Sequence, residues 1–360
     1  MIIGIDISPA CRKEKTGIEW YAWHVTRGLL ARKANDIEYR LYSDVSCEDS
    51  FDADMRALSW PSRYFWPELR ESIEILAHAP DLLFVPARAL PLALPKKVVS
   101  TIHDVGFIPY PDERKALSRE YLLRTSRWAA LRADRIITVS EFAKQEIIKY
   151  FNIDPQKIVV THLGYDRERY VPAKEISKAQ PFILCLGRRE RRKNLLALVK
   201  AYEELHRRFD TLTPRLMIVG PPGHHAAEID HAIAGSPACK KITVRDWVSE
   251  DEKIRLLQHA LCLLQPSVYE GFGLPVIEAQ ACGTPVVCSN AASLPEIAGD
   301  GALFFDPHIP EDIAEKVVSV IGNETLREEL SKKGLRNAER FSWHMTTEKT
   351  GEILQNVLCQ

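Results

Sequence analysis

Residues 269–287 read Tyr269-Glu270-Gly271-Phe272-Gly273-Leu274-Pro275-Val276-Ile277-Glu278-Ala279-Gln280-Ala281-Cys282-Gly283-Thr284-Pro285-Val286-Val287. The apolar run ending near 265 predicts a strand, and the residues after it predict a glycine loop, a helix, a glycine stop and a second strand. Pro275 suits the first helical turn, where its missing N–H has no intrahelical partner to lose. Gly283 is placed to end the helix, and Thr284 to Val287 is β-branched and apolar. Glu270 therefore falls on a loop at the carboxyl end of a strand, and Glu278 in the first turn or so of the next helix. Open α/β sheets bind ligands at that edge. The free N–H groups and dipole of a helix N-terminus favour an anion such as a phosphate. Gly271 and Gly273 allow close backbone approach. For a bare pair of glutamates, a structural loop with two solvated carboxylates is the simpler reading.

On either side of this stretch, strands and helices alternate along all 360 residues, the pattern of parallel α/β sheets. Strands are predicted near 2–6, 37–42, 82–85, 97–102, 135–139 and 157–161, then near 182–186, 215–219, 241–244, 261–265, 284–288 and 302–305. Ile18, Tyr21, Ala22, Val25 and Leu29 recur at helical spacing. A second long helix is predicted over 115–132, and others near 193–209, 250–259, 274–283, 310–321, 324–340 and 344–358. The polar, proline-bearing stretch from Val171 to Gln180 separates the halves. The expected division is 1–172, a linker at 173–180, and 181–341.

The composition is ordinary for a globular chain, 46% hydrophobic and 27% charged, with a net charge of −1 that gives no global pull toward nucleic acid. The eight cysteines form no CxxC pair, and Cys185, Cys262 and Cys288 sit in apolar runs as expected core residues. This usage fits a reducing cytoplasm. The chain opens on a strand without the basic start and cleavage site of a signal peptide, and no apolar run approaches the ~18 residues of a spanning helix. A cytoplasmic location is expected, with a peripheral contact at the inner membrane face left open.

Three further constellations carry candidate chemistry. Leu186 to Leu195 follows a strand, opens a helix and holds five cations, Arg188, Arg189, Arg191, Arg192 and Lys193, against Glu190. Such a site suits a diphosphate, whose charge must be neutralised as it leaves; an arbitrary basic run would be a solvated loop. Thr101-Ile102-His103-Asp104-Val105 ends a strand, where neighbouring side chains point opposite ways, so a literal His–Asp dyad is not expected. The loop from Ser8 to Gly17 lacks the GxGxxG fingerprint of dinucleotide sites. The arginine-rich helix near 113–135 reads as a solvated face or as a surface for anionic lipid or a phosphorylated acceptor. Trp60, Tyr64, Phe65 and Trp66 lie in a less regular segment, as lobe packing, acceptor groove or membrane contact. Asp52 and Asp54 have metal-motif spacing but read as a polar loop without strand context. No metal constellation surrounds His224 and His225.

The spacing of Glu270 and Glu278 resembles the E-x7-E signature of the retaining GT-B glycosyltransferases of family 4. The order of the other segments is similar to that family from residue 17 to about 306. The resemblance implies two facing Rossmann-like domains with a cleft between them, and a last helix, 342–360, that crosses back to the first domain. It implies a nucleotide diphosphate sugar as donor, GDP-mannose favoured, with no metal and no other cofactor. A glycan or lipid-linked saccharide would be the acceptor, with no nucleic acid partner.

Residue by residue, the resemblance assigns Glu278 to the ribose hydroxyls and Glu270 to the sugar. Phe272, Gly273 and Leu274 would offer backbone N–H groups near sugar or phosphate. Arg188 and Lys193 match the diphosphate pair, while Arg189, Arg191 and Arg192 match no fixed position. His103 would contact the transferred sugar, and not as a general base. Gly17 matches the N-terminal glycine loop, although the family's double glycine is here Thr16-Gly17. The expected function is retaining hexosyl transfer, mannosyl favoured, in surface polysaccharide synthesis. A GT-B sugar-nucleotide epimerase and a non-catalytic scaffold subunit are the competing readings.

Overall fold

The computed structural model describes residues 1–32, 36–49, 51–60, 65–87, 89–174 and 180–360. Residues 175–179 of the expected linker and Tyr64 lie outside the described residues. The chain divides into two compact units: one holds Met1–Ile108, Ala116–Gly164 and Ser342–Gln360, the other Pro109–Lys115 and Tyr165–Phe341.

The first unit has a parallel sheet of β1 (Ile2–Asp6), β2 (Glu38–Ser43), β3 (Asp54–Ala57), β4 (Leu82–Val85), β5 (Lys97–Thr101), β6 (Arg135–Thr138) and β7 (Ile158–Val160), ordered β3-β2-β1-β4-β5-β6-β7. The central strands are short apolar runs because helices cover both faces. On one face lie a π-helical turn Trp66–Glu71 running into α2 (Ser72–His78), then α3 (Ala116–Arg132) and α4 (Glu141–Phe151). Their inward residues Trp66, Ile75, Ala129, Ala130 and Ile147 share a core with Leu83, Val98 and Ile136. α1 (Gly17–Ala31) packs against the chain's last helix, Trp343–Cys359, in this unit. A Cβ on Gly28 would come within 2.7 Å of the Thr347 hydroxyl, so only glycine lets these two helices approach so closely.

Three features depart from the sequence expectation. Asp54 opens β3, so the Asp52–Asp54 segment does border a strand; β3 is a short, largely exposed edge that hydrophobic alternation does not mark. Helix 66–78 begins at Trp66, the last of the aromatic residues expected in a less regular segment, and covers residues for which no element was expected. Cys11 and Cys47 form a disulfide, against the expectation of scattered free thiols. They lie on loops beyond the carboxyl ends of β1 and β2, which pair in parallel and so bring those loops together. Cys185, Cys262 and Cys288 are free and buried.

The second unit repeats the plan with β8 (Phe182–Leu186), β9 (Arg215–Val219), β10 (Ile242–Arg245), β11 (Cys262–Gln265), β12 (Val286–Ser289) and β13 (Ala302–Phe305), ordered β10-β9-β8-β11-β12-β13 and all parallel. The order reverses on either side of β8, which makes the carboxyl edge of β8 and β11 a topological switch point. Helices α5 (Leu195–Phe209), α6 (Ala226–Gly235) and α10 (Pro310–Gly322) bury one sheet face; α7 (Glu250–His259), α8 (Leu274–Ala281) and α9 (Leu294–Ala298) contribute to the other core. α11 (Glu324–Ala338) packs on α8, and the helix Trp343–Cys359 is α12.

Candidate functional site

At the switch point, β8 leads into the cationic loop and β11 into the Glu270 loop. The two loops are joined by a backbone hydrogen bond of 2.9 Å from Val268 N to the Arg192 carbonyl. Ser293 donates to the carbonyls of Glu270 and Phe272, at 2.9 and 2.7 Å, and so pins the glycine turn. Gly273 caps α8 at φ +112, a region that side-chain-bearing residues rarely adopt, and Pro275 lies in the first turn of α8. In that first turn Pro275 has no N–H and Val276 N donates to the Gly273 carbonyl at 2.9 Å, which leaves the 272–274 turn as the part of the helix start that could offer N–H groups to an anion.

The Glu270 side chain is buried to 7% exposure. Its Oε1 accepts from Lys193 Nζ at 2.5 Å and from Gln265 Nε2 and Ser267 Oγ, both at 2.8 Å. Arg192 Nη1 stands 3.5 Å from Oε2. Burial alone would raise this carboxyl. The Lys193 ammonium and the Arg192 guanidinium, helped by the Ser267 hydroxyl, reverse that and hold it at about 2. Glu270 is therefore an anion at neutral pH and far too acidic to serve as a general base. The Lys193 stem lies across Gly187, with Cε 3.4 Å from where a Cβ would stand.

Arg192 is the residue that sequence reasoning missed. It is held by Glu113, whose carboxylate accepts from the Arg192 backbone N–H at 2.7 Å and lies 3.1 Å from Nε. Glu190 lies 3.1 Å from the same guanidinium. Burial raises the Glu113 carboxyl, against the pull of Arg192. Arg188 has no contact with Glu270: half-exposed, it reaches the Pro222 carbonyl at 3.4 Å and stands at the edge of the cluster, 3.6 Å from Glu190. Arg189 is buried and braces the neighbouring strand ends, donating to the Gly220 carbonyl at 2.9 Å and to Asp246 at 2.8 Å. No sequence signal separates these arginines; only the path of the loop does.

Glu278 lies in the second turn of α8, one turn later than expected at most, and is buried. Lys253 Nζ contacts it at 3.0 Å and Glu250 at 3.1 Å, and sits 5.2 Å over the Tyr170 ring. The Tyr170 hydroxyl donates to Glu250, and burial together with Glu278 and Glu250 pushes that phenol upward. Phe272 is buried edge-on to Phe341 at 5.8 Å, and Leu274 is the first residue of α8.

In the first unit, His103 follows β5. Its Nε2 lies 3.0 Å from the Pro86 carbonyl and its ring is edge-on to Tyr21 at 4.8 Å. Burial lowers its pKa, against the Pro86 carbonyl, Asp104 and Glu19. Asp104 turns away to accept from Gly106 N at 2.9 Å, so the two make no dyad. Gly17 is the first residue of α1, behind a Thr16–Glu19 capping box. The structure thus gathers Lys193, Glu270 and the 272–274 turn in one place, sets Glu278 further along α8, and places Gly17 and His103 in the other unit.

Comparison with known proteins bears on the family and the fold. The glycosyl transferases group 1 model matches residues 166–337, and the glycosyltransferase family 4 model matches 16–169. The chain is 30% identical over 300 residues to O-antigen chain mannosyltransferase B of Escherichia coli, covering 81% of this chain and 76% of that one. It is 29% identical over 283 residues to the serotype-specific mannosyltransferase WbdA of Escherichia coli, covering 73% of this chain but only 34% of that longer protein. Sucrose-phosphate synthase from Thermosynechococcus elongatus superposes with a TM-score of 0.78 at 17% identity, covering 99% of both chains, a likeness of fold. The chain belongs to family 4 of the glycosyltransferases and has the GT-B fold.

Proposed function

We propose that this protein transfers a mannosyl group from a nucleotide diphosphate sugar, GDP-mannose favoured, to a hydroxyl of a glycan or lipid-linked saccharide, with retention at the anomeric carbon, in surface polysaccharide synthesis. The observation that carries this reading is the convergence of Lys193 and Arg192 on Glu270 beside the N-terminus of α8. Two cations and a helix dipole at a switch point fit a diphosphate leaving group. The names of the two mannosyltransferase relatives support the sugar and the pathway.

In this reading the anomeric C–O bond to the diphosphate breaks and its electron pair goes to the phosphate oxygen, where Lys193, Arg192 and the backbone of the 272–274 turn meet it. The acceptor oxygen attacks the same face, and its proton passes to the departing diphosphate. Glu270, anionic throughout, holds Lys193 and accepts from sugar hydroxyls. Glu278, set by Lys253, takes the ribose. Arg188 stands at the rim as a weaker contributor, and His103, held neutral, contacts the sugar, with Gly17 near donor and acceptor. The cations take the place of a metal, and a peripheral membrane contact belongs to the same reading.

The test is binding and turnover of GDP-, UDP-, dTDP- and ADP-sugars with chelator present, alongside Lys193→Ala and Glu278→Ala, with the product anomer read by NMR. One donor turned over without metal, an α-linked product from an α-donor, and loss in both variants are expected. Binding that survives both changes would overturn the residue roles. Donor isomerisation, or binding without turnover on any acceptor, would favour the epimerase or scaffold reading.

A further inference from the structure

One stretch of the chain's first half lies in the second unit. Pro109–Lys115 packs there, while the chain up to Ile108 and again from Ala116 belongs to the first unit. Pro111 opens a single 3₁₀ turn, Pro111–Glu113, where its fixed φ suits the first position. The strap is fastened at three points. The Tyr110 ring stands edge-on to Tyr269, the neighbour of Glu270, at 5.7 Å. The Asp112 carbonyl lies 3.1 Å from His225 Nε2, and its carboxylate 3.8 Å from Arg191. Glu113 makes the third and shortest attachment, to Arg192.

That attachment is a fork. Glu113 Oε1 accepts from the Arg192 backbone N–H at 2.7 Å, and Oε2 lies 3.1 Å from Nε of the same residue. One carboxylate thus fixes both the loop and the guanidinium. The remaining nitrogens are held as well. Nη2 stands 3.1 Å from Glu190, and Nη1 stands 3.5 Å from Glu270 and 3.4 Å from the Tyr269 carbonyl.

Stability alone does not account for this arrangement. The Glu113 side chain is only 8% exposed, and burying a carboxylate costs free energy that ion pairing at best offsets. An apolar contact would join strap and loop at least as firmly. What the fork supplies is direction. An arginine side chain carries about 2 kcal/mol of rotamer entropy. Left to swing, the Arg192 guanidinium would face Glu270 for only part of the time.

We propose that Glu113 is a positioning residue for sugar transfer: it sets the Arg192 guanidinium beside Glu270, so that the departing diphosphate meets a cation already in place. The inference rests on the transferase reading and adds to it a residue carried by the strap 109–115. Glu113 touches no reacting atom and acts through Arg192. Preorganised charge counts most where charge develops, so losing Glu113 lowers turnover more than donor affinity. Removing a negative charge also gives an anionic ligand no cause to bind more weakly.

The test is a double-variant cycle of Glu113→Gln and Arg192→Gln in the full chain. It is read by kcat and KM for the accepted donor, by calorimetric binding of inorganic diphosphate, by urea unfolding, and by the Arg192 Nε–H signal in arginine-labelled protein. Glu113→Gln lowers kcat about tenfold, leaves KM and diphosphate affinity within about twofold, and shifts the Arg192 signal. In the Arg192→Gln background the same change costs about twofold or less. Glu113→Asp keeps the charge, shortens the reach and falls between wild type and Glu113→Gln. An unchanged kcat, or an equal loss in both backgrounds, overturns the proposal. So does a parallel fall of kcat, diphosphate affinity and unfolding midpoint, which would make Glu113 a structural brace. A wild type that turns over no donor sinks the transferase reading instead. The Arg192 signal then decides the positioning claim, and a signal that Glu113→Gln leaves in place overturns it.

Discussion

Glu270 and His103 each stand at the carboxyl edge of a parallel sheet, and their surroundings are built on opposite electrostatic plans. In the second unit, Lys193, Arg192, Glu113 and Glu190, all partly buried, share one network of ion pairs with the buried Glu270. In the first, His103 is kept neutral by burial and meets a carbonyl and a tyrosine ring, while the ion pairs Arg12–Asp44 at 2.5 Å and Lys15–Asp49 at 3.2 Å lie on the loops after β1 and β2. Cations drawn around a buried site cost several kcal/mol to assemble unless counter-anions hold them, so an edge of the kind proposed for a diphosphate carries its own carboxylates. Neutral surroundings like those of His103 suit hydroxyl groups, whose recognition needs hydrogen bonds and no net charge.

Lys193→Ala puts this contrast to its most severe test. It removes the ammonium that steadies Glu270 and that the proposed reaction uses to meet the leaving group, and turnover should fall by about a hundredfold to a thousandfold. Steady-state kinetics with the accepted donor checks this. Arg192→Ala against Arg188→Ala refines it: a loss of roughly ten- to a hundredfold is expected for the first and about twofold or less for the exposed second. Equal losses would show that proximity to Glu270 does not rank the cations.

Glu270→Gln tests the counter-anion. Leaving Lys193 and Arg192 without their carboxylate should lower unfolding free energy by about 3 kcal/mol at pH 7, measured in urea. The Glu270 carboxyl is depressed in the fold, so its stabilisation is present above the ordinary value of about 4.3 and fades as pH falls toward 2. The variant should therefore lose less stability than the wild type over that interval.

The smallest effect belongs to His103→Gln. Burial lowers the imidazole pKa, so its neutral form stabilises the fold above about 6.5 and that contribution drains away as pH drops below it. The gap in melting temperature between pH 7 and pH 5 should shrink by about 2 °C in the variant. An unchanged gap would mean that these neutral surroundings are not held by this residue.

Much of the second unit was legible in the sequence because its signals are local. Gly273, Pro275 and Gly283 each occupy a position that backbone geometry restricts, and the strands are apolar on both faces. What was not legible depends on which elements become neighbours. Cys11 and Cys47 meet only because β1 and β2 are adjacent. Arg192 is distinguished from Arg188 by loop path, since both are arginines in one dense run. Helix 66–78 was missed because periodicity assumes that the apolar stripe faces inward, and here that stripe faces out. β3 has four residues, mostly exposed, and no alternation to detect.

The position of α12 bears on how the chain is made. Arg32 binds the Glu348 carbonyl across 316 positions, Lys97 binds the Leu358 carbonyl, and Thr346 binds the His162 carbonyl. On a ribosome, α1 emerges long before the helix that covers it, while every strand of the second sheet is synthesised in between. The unit begun first is therefore the unit finished last, and its open α1 flank is exposed to chaperones throughout elongation.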